Sequence, residues 1–317
     1  MDPLPDRPPP PPPAPGRKSA LAFFGVLLAL WFPGAVAQAA TLPLGLAWTE
    51  LFVFLLSAVV ATAGSNLRPG PYLRLRPARP GVLAAGAGCG VSGYLFAGAL
   101  LSLTQRLLPP RVVDAFDPVR LFEGSTAERL ALAAVATVVA PACEEIAFRG
   151  YVQTTIGLRR GPAAGILGAA LLFALLHMNP VLFPALVVLG AVFGWLTWRA
   201  GSIWPAVLAH AVNNGITSAL VLAGPPPPSG PAPLPAVGAS MALGGAALVA
   251  LAAVYRALTS APPPLADALV LRDPSLPSIR FSPARVPPRL AALAAVGAAL
   301  LAVLLAAGTV GGRVRWR

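Results

Sequence analysis

The chain is short of charge. Only 11% of its 317 residues are Asp, Glu, Lys or Arg, whereas a soluble globular domain carries about 25%. Lysine is nearly absent, Lys18 standing alone, and histidine and cysteine occur twice each. Cys89 and Cys143 both fall in apolar stretches, which argues against a disulfide framework and for two small hydrophobes. Hydrocarbon is what abounds: 56% of the residues are hydrophobic and the mean hydropathy is +0.74. A soluble fold is excluded. The expected class is all-α, a polytopic transmembrane helix bundle in a lipid bilayer.

The net charge of +12 invites a nucleic-acid reading, but the arginines form no basic domain. They cluster between apolar runs, at Arg68, Arg74, Arg76 and Arg79, at Arg159 and Arg160, and at Arg272, Arg280, Arg285 and Arg289. Short basic loops follow the positive-inside rule, so topology accounts for the excess and no nucleic-acid partner is expected. Arginine in place of lysine, with Gly, Ala and Pro abundant, reads as a GC-rich and hence bacterial source. The expected location is a bacterial cytoplasmic membrane.

A span needs about 20 apolar residues. Nine stretches qualify, near 19–39, 44–64, 82–104, 128–152, 162–178, 181–199, 202–222, 236–256 and 290–310. Nine spans put the tail residues Arg313, Arg315 and Arg317 outside, against the positive-inside rule, so eight or nine spans are expected, the first or the last being the one in question. The first reads as an uncleaved anchor. Four regions follow: a Pro-rich tail over 1–18 expected to be disordered, N-terminal helices over 19–127, a core over 128–222, and C-terminal helices with Pro-rich loops over 223–317. With the N-terminus inside, loops 66–81, 153–161 and 199–201 fall inside, and each carries arginine. Those charges favour substrate access from the inside.

Against this background the ionisable groups inside spans stand out, because each costs roughly 2.5–3.5 kcal/mol on insertion scales. Glu144, Glu145 and Arg149 lie on one span, His177 on the next and His210 two spans on, in PACEEIAFRG, FALLHMN and LAHAVNNG. Three spans that all carry such groups point to one shared polar site. Glu145 and Arg149 are four apart and share a helix face, with Glu in the better N-terminal place. Glu144 points about 100° away. One carboxylate is thus neutralised while its neighbour stays free to act as a general base on water. His210 and Asn214 also share a face, and an imidazole beside a carboxamide suits a developing oxyanion. Phe173, one turn before His177, makes an apolar wall. Asn213 reads as structural, and Glu50 as interfacial or a helix start.

One expectation resists this picture. Counted from the turn at Arg159–Pro162, Glu144 and His177 are each about 16 residues deep, whereas His210 is only about nine residues from Gly201. That leaves a mismatch on the order of 10 Å.

These residues resemble a known family. EExxxR at Glu144–Arg149, FxxxH from Phe173 to His177 and HxxxN from His210 to Asn214 are similar to the motifs of the CAAX-processing and bacteriocin-processing (CPBP, or Abi) membrane endopeptidases. The stretch GSIWPAVLAHAVNN at 201–214 is similar too, and the likeness covers about 128–220. It implies an intramembrane endopeptidase acting on a membrane-associated or lipidated protein or peptide. Glu144 would activate water with His177 as its partner, and His210 and Asn214 would hold the oxyanion. Glu145, Arg149 and Phe173 would support them. Two histidines and a glutamate are also a set that zinc uses, but HExxH is absent and Glu144 cannot easily serve as both ligand and base. The expected site therefore has no metal or other cofactor; a zinc-dependent one would use Glu144, His177 and His210. Two further readings stay open. One is a proton-coupled transporter, which would show an inverted repeat that the chain lacks. The other is a non-catalytic membrane scaffold or immunity protein.

Overall fold

The computed structural model describes residues 17–224 and 230–270. Among these there is no strand, and eight principal helices build the bundle. They are α1 (Arg17–Ala40), α2 (Leu42–Gly64), α3 (Pro80–Leu107), α4 (Thr126–Arg160), α5 (Pro162–Leu176), α6 (Phe183–Ala200), α7 (Trp204–Ala223) and α8 (Leu234–Leu258). Among the described residues seven helices are long and apolar enough to cross a membrane. The exception is α5, whose 15 residues reach about 22 Å, short of a hydrocarbon core of about 30 Å. The span count is therefore lower than the eight or nine expected. The ninth stretch, 290–310, and most of the Pro-rich tail lie outside the described residues.

Local chemistry marks the helix ends. Ser125 and Glu128 form a capping box at the start of α4, with Ser125 N donating to Glu128 Oε2 at 2.8 Å and Glu128 N donating to Ser125 Oγ at 3.3 Å. Proline opens α3, α5 and α7, where a missing N–H costs nothing. Gly201, at φ 63°, turns the chain from α6 into α7.

Packing runs around two helices. α3 lies against α6, α7 and α8, while α4 lies against α1, α2, α5 and α7. The Gly and Ala content of α3 serves close approach, as it does between helices in lipid. A Cβ added at Gly90 would sit 2.3 Å from the Ala209 carbonyl oxygen. Only glycine lets α3 and α7 touch there, one residue before His210.

The expected depth mismatch disappears because the reference turn lies too far out. α4 has 35 residues, about 52 Å of helix, so its basic end overshoots the bundle. The common level is set instead by Arg74, a buried residue at φ 56°. Its Nε donates to Thr154 Oγ1 at 3.1 Å, and its carbonyl accepts from Ile203 N at 3.1 Å. Tyr72 and Thr155 hydroxyls bond beside it at 2.7 Å. From that level Glu144 is about ten residues up α4 and His210 about seven up α7, a difference of only about 5 Å. Burial, then Arg76, pulls the Arg74 guanidinium down to about 10.

Candidate active site

Two π-helical turns, Val135–Val139 and Ile146–Val152, flank the carboxylate pair on α4, and a third, Thr49–Leu55, carries Glu50 on α2. Such turns insert an extra residue and re-aim the side chains that follow, often at functional sites. Between the two on α4, the segment Ala140–Glu145 presents its adjacent carboxylates to different surroundings.

Glu145 is fully buried and its Oε1 accepts from Arg149 Nη1 at 2.6 Å, the i, i+4 pair expected from spacing. The same oxygen meets His210 Nδ1 at 2.9 Å. Arg149, itself fully buried, donates through Nη2 to the Gly190 carbonyl at 3.2 Å. Its guanidinium lies 4.5 Å over the Phe173 ring and 5.5 Å from the Phe193 ring centre, within cation–π reach. Phe193 also stacks on His210, with centroids 5.1 Å apart and planes at 24°.

Glu144 is 9% exposed and lines a cavity of about 510 Å³ with Phe173, His177, His210, Asn213 and Asn214. Its Oε2 is 3.6 Å from His210 Nε2, a contact longer than a hydrogen bond. His210 therefore stands between the two carboxylates, one ring nitrogen to each. His177, exposed at the end of α5, places Nδ1 at 2.9 Å from the Phe173 carbonyl. A carbonyl only accepts, so Nδ1 carries the proton, and Nε2 of the neutral ring keeps its lone pair. The Phe173 ring packs edge-on to His177, centroids 4.7 Å apart, and to His210 at 5.9 Å. Asn214 Nδ2 donates to the Ala136 carbonyl at 2.9 Å, at the first π turn of α4.

The motif residues singled out in the sequence thus converge: Glu144, Phe173, His177, His210 and Asn214 line one cavity, with Glu145 and Arg149 buried beside it. The imidazole on Glu144 is that of His210. Asn214 spends one of its two amide N–H groups on α4. Spacing left four participants unassigned. Asn213, read as structural, lines the cavity. Phe193 and Gly190 carry no motif of their own; only their packing against α4 reveals them. Glu50, read as interfacial, is 2% exposed, and its Oε2 has no hydrogen-bond partner. Its neighbour Trp48 misled, since an aromatic near a span end reads as a membrane anchor.

No group of three or more His, Cys, Asp or Glu side chains among the described residues is placed to hold a metal ion.

Residues 126–216 match the family model described as type II CAAX prenyl endopeptidase, Rce1-like. No curated protein and no solved structure matches the chain. The matched segment begins at the first residue of α4 and ends beyond Asn214, so it holds all three motifs. Over residues 126–216 this chain is similar to the Rce1-like family of type II CAAX prenyl endopeptidases.

Proposed function

We propose that the protein is an intramembrane endopeptidase in which Glu144 activates a water molecule against a membrane-proximal peptide bond. The observation that carries this reading is the division between the two adjacent carboxylates. Glu145 is engaged by Arg149 and His210, whereas Glu144 faces the cavity. A carboxylate of that kind is the general base the chemistry needs. His177, with Nδ1–H held by the Phe173 carbonyl, turns a lone pair on Nε2 toward water and orients it beside Glu144. Water gives a proton to Glu144 and its oxygen adds to the scissile carbonyl carbon. The carbonyl oxygen gains charge and takes hydrogen bonds from the second amide N–H of Asn214 and from Nε2–H of a protonated His210, whose Nδ1–H rests on Glu145. Collapse of the adduct breaks the C–N bond, and the proton held by Glu144 passes to the leaving amine. Arg149 holds the Glu145 carboxylate, and through it His210, in place. The largely apolar cavity walls fit a substrate with an apolar or lipid-bearing segment. Neither zinc nor any other group is needed for these steps.

Purified protein in nanodiscs, offered prenylated and unprenylated C-terminal peptides, tests the reading. Wild type cleaves at least one peptide, Glu144→Gln cleaves none, and a zinc chelator leaves the wild-type rate unchanged. Full cleavage by Glu144→Gln overturns the role of Glu144, and loss of wild-type cleavage on chelation overturns the metal-independent mechanism.

A further inference from the structure

The helix ends sort onto two faces of the bundle, and hydrogen bonds between loops make the sorting unambiguous. On the first face the 68–79 loop is tied to the α6–α7 turn, with Ser202 Oγ donating to the Arg76 carbonyl at 2.6 Å and Ile203 N to the Arg74 carbonyl. Arg68 N reaches the Val270 carbonyl at 2.8 Å, and Arg199 Nη2 the Thr259 carbonyl at 3.1 Å. On the second face Asn179 Nδ2 donates to the Phe116 carbonyl at 3.0 Å, and Arg129 and Arg106 donate to the Val221 and Ala232 carbonyls.

Charge divides with the same sharpness. Among the described residues, the loops and helix ends of the first face carry Arg68, Arg74, Arg76, Arg79, Arg159, Arg160, Arg199 and Arg256 against one carboxylate, Asp267. Those of the second carry Arg106, Arg111, Arg120 and Arg129 balanced by Asp114, Asp117, Glu123 and Glu128. Lys and Arg in short loops set orientation, so the first face is cytoplasmic and the second is not.

The cavity has a direction in this frame. From Glu144 and His210 at mid-depth it runs past Leu101 near the end of α3, Val119 of the 108–125 connection, Val221 at the end of α7 and Val237 at the start of α8. Every one of these belongs to the half of the bundle nearer the second face. No described residue of the basic loops lines it.

We infer that substrate reaches Glu144 from the non-cytoplasmic half of the membrane. The inference rests on the peptidase reading for the word substrate, and on the loop charges and cavity lining for the side. It reverses the access side that loop charge alone favours, because the arginines mark the closed end of the bundle. The substrate class is then a polypeptide whose apolar segment lies in the outer leaflet or reaches it after export, and not a protein that stays in the cytoplasm.

Accessibility to a membrane-impermeant maleimide decides this without any substrate. Only Cys89 and Cys143 need replacing to clear the background. Three single substitutions are then compared in spheroplasts and in inverted vesicles of a bacterial host: Arg76→Cys on the basic face, Glu123→Cys on the other face and His177→Cys in the cavity wall. The 123 and 177 positions react in spheroplasts and are silent in inverted vesicles, while position 76 behaves the opposite way. Reaction of the 123 and 177 positions from the cytoplasmic side overturns the inference. So does a His177→Cys protein that stays unlabelled on both sides while Glu123→Cys and Arg76→Cys label as expected. Labelling as expected with no peptide cleaved by wild type would remove the peptidase reading and leave the orientation of the cavity standing.

Discussion

The cavity around Glu144 and the buried cluster around Glu145 are built from neighbouring residues, yet they follow opposite physics. In the cluster, Arg149, Glu145 and His210 are packed by Phe173 and Phe193, and the charged pair is fully buried. Cutting one member out of such a pair strands the other. In the cavity, Glu144 has one long contact and open space, so it is held loosely by its neighbours and is available to solvent or substrate. On the proposed mechanism, stability resides mainly at Glu145 and reactivity at Glu144. A helix turn of about 100° between adjacent positions suffices to separate the two roles.

Substitutions sharpen or break that contrast. The largest effect on activity is expected from Glu144→Gln: peptide cleavage falls by about 10²–10⁴, while the thermal midpoint in detergent stays close to that of wild type. Equal destabilisation of Glu144→Gln and Glu145→Gln would erase the distinction between the two regions. Arg149→Met comes next, costing about 3–5 kcal/mol of stability because it leaves Glu145 buried without its main partner; thermal unfolding in detergent measures it. Asn214→Ala slows cleavage by about 10²–10³ if its second N–H meets the oxyanion, and loses about 1 kcal/mol with the bond to Ala136. An activity loss no larger than the stability loss accounts for would confine Asn214 to linking α7 with α4. The smallest effect is that of Gly90→Ala, which costs about 1–3 kcal/mol through overpacking against Ala209. It also shifts His210 and so lowers cleavage, whereas Gly25→Ala, with open space around its Cβ, does neither.

Much of this was readable before folding was considered. Low charge with long apolar runs dictates membrane helices whatever their arrangement, since lipid offers backbone groups no other partner. The Glu145–Arg149 pair follows from spacing alone because it lies within one helix. The same is true of Phe173 with His177. Contacts between helices did not follow: His210 bonding Glu145, or Arg149 bonding Gly190, depends on how far each helix slides along its neighbour. Counting residues from the nearest basic turn misjudged that slide for α4, whose end overshoots the level set by Arg74. Glu50 was misplaced for the same reason, because its burial comes from packing against α4 and not from its own helix.

The sequence by itself determined that this is a bundle in a lipid bilayer, that ionisable groups on three of its helices share a polar site, and which faces carry Arg. Those are consequences of composition and of a 3.6-residue repeat, both local. Only the tertiary structure decided which imidazole meets which carboxylate, that Glu144 and not Glu145 faces open space, and that the cavity leads away from the basic loops. Those are set by side-chain packing across helices far apart in the chain, where a shift of one turn, about 5.4 Å, changes every partner.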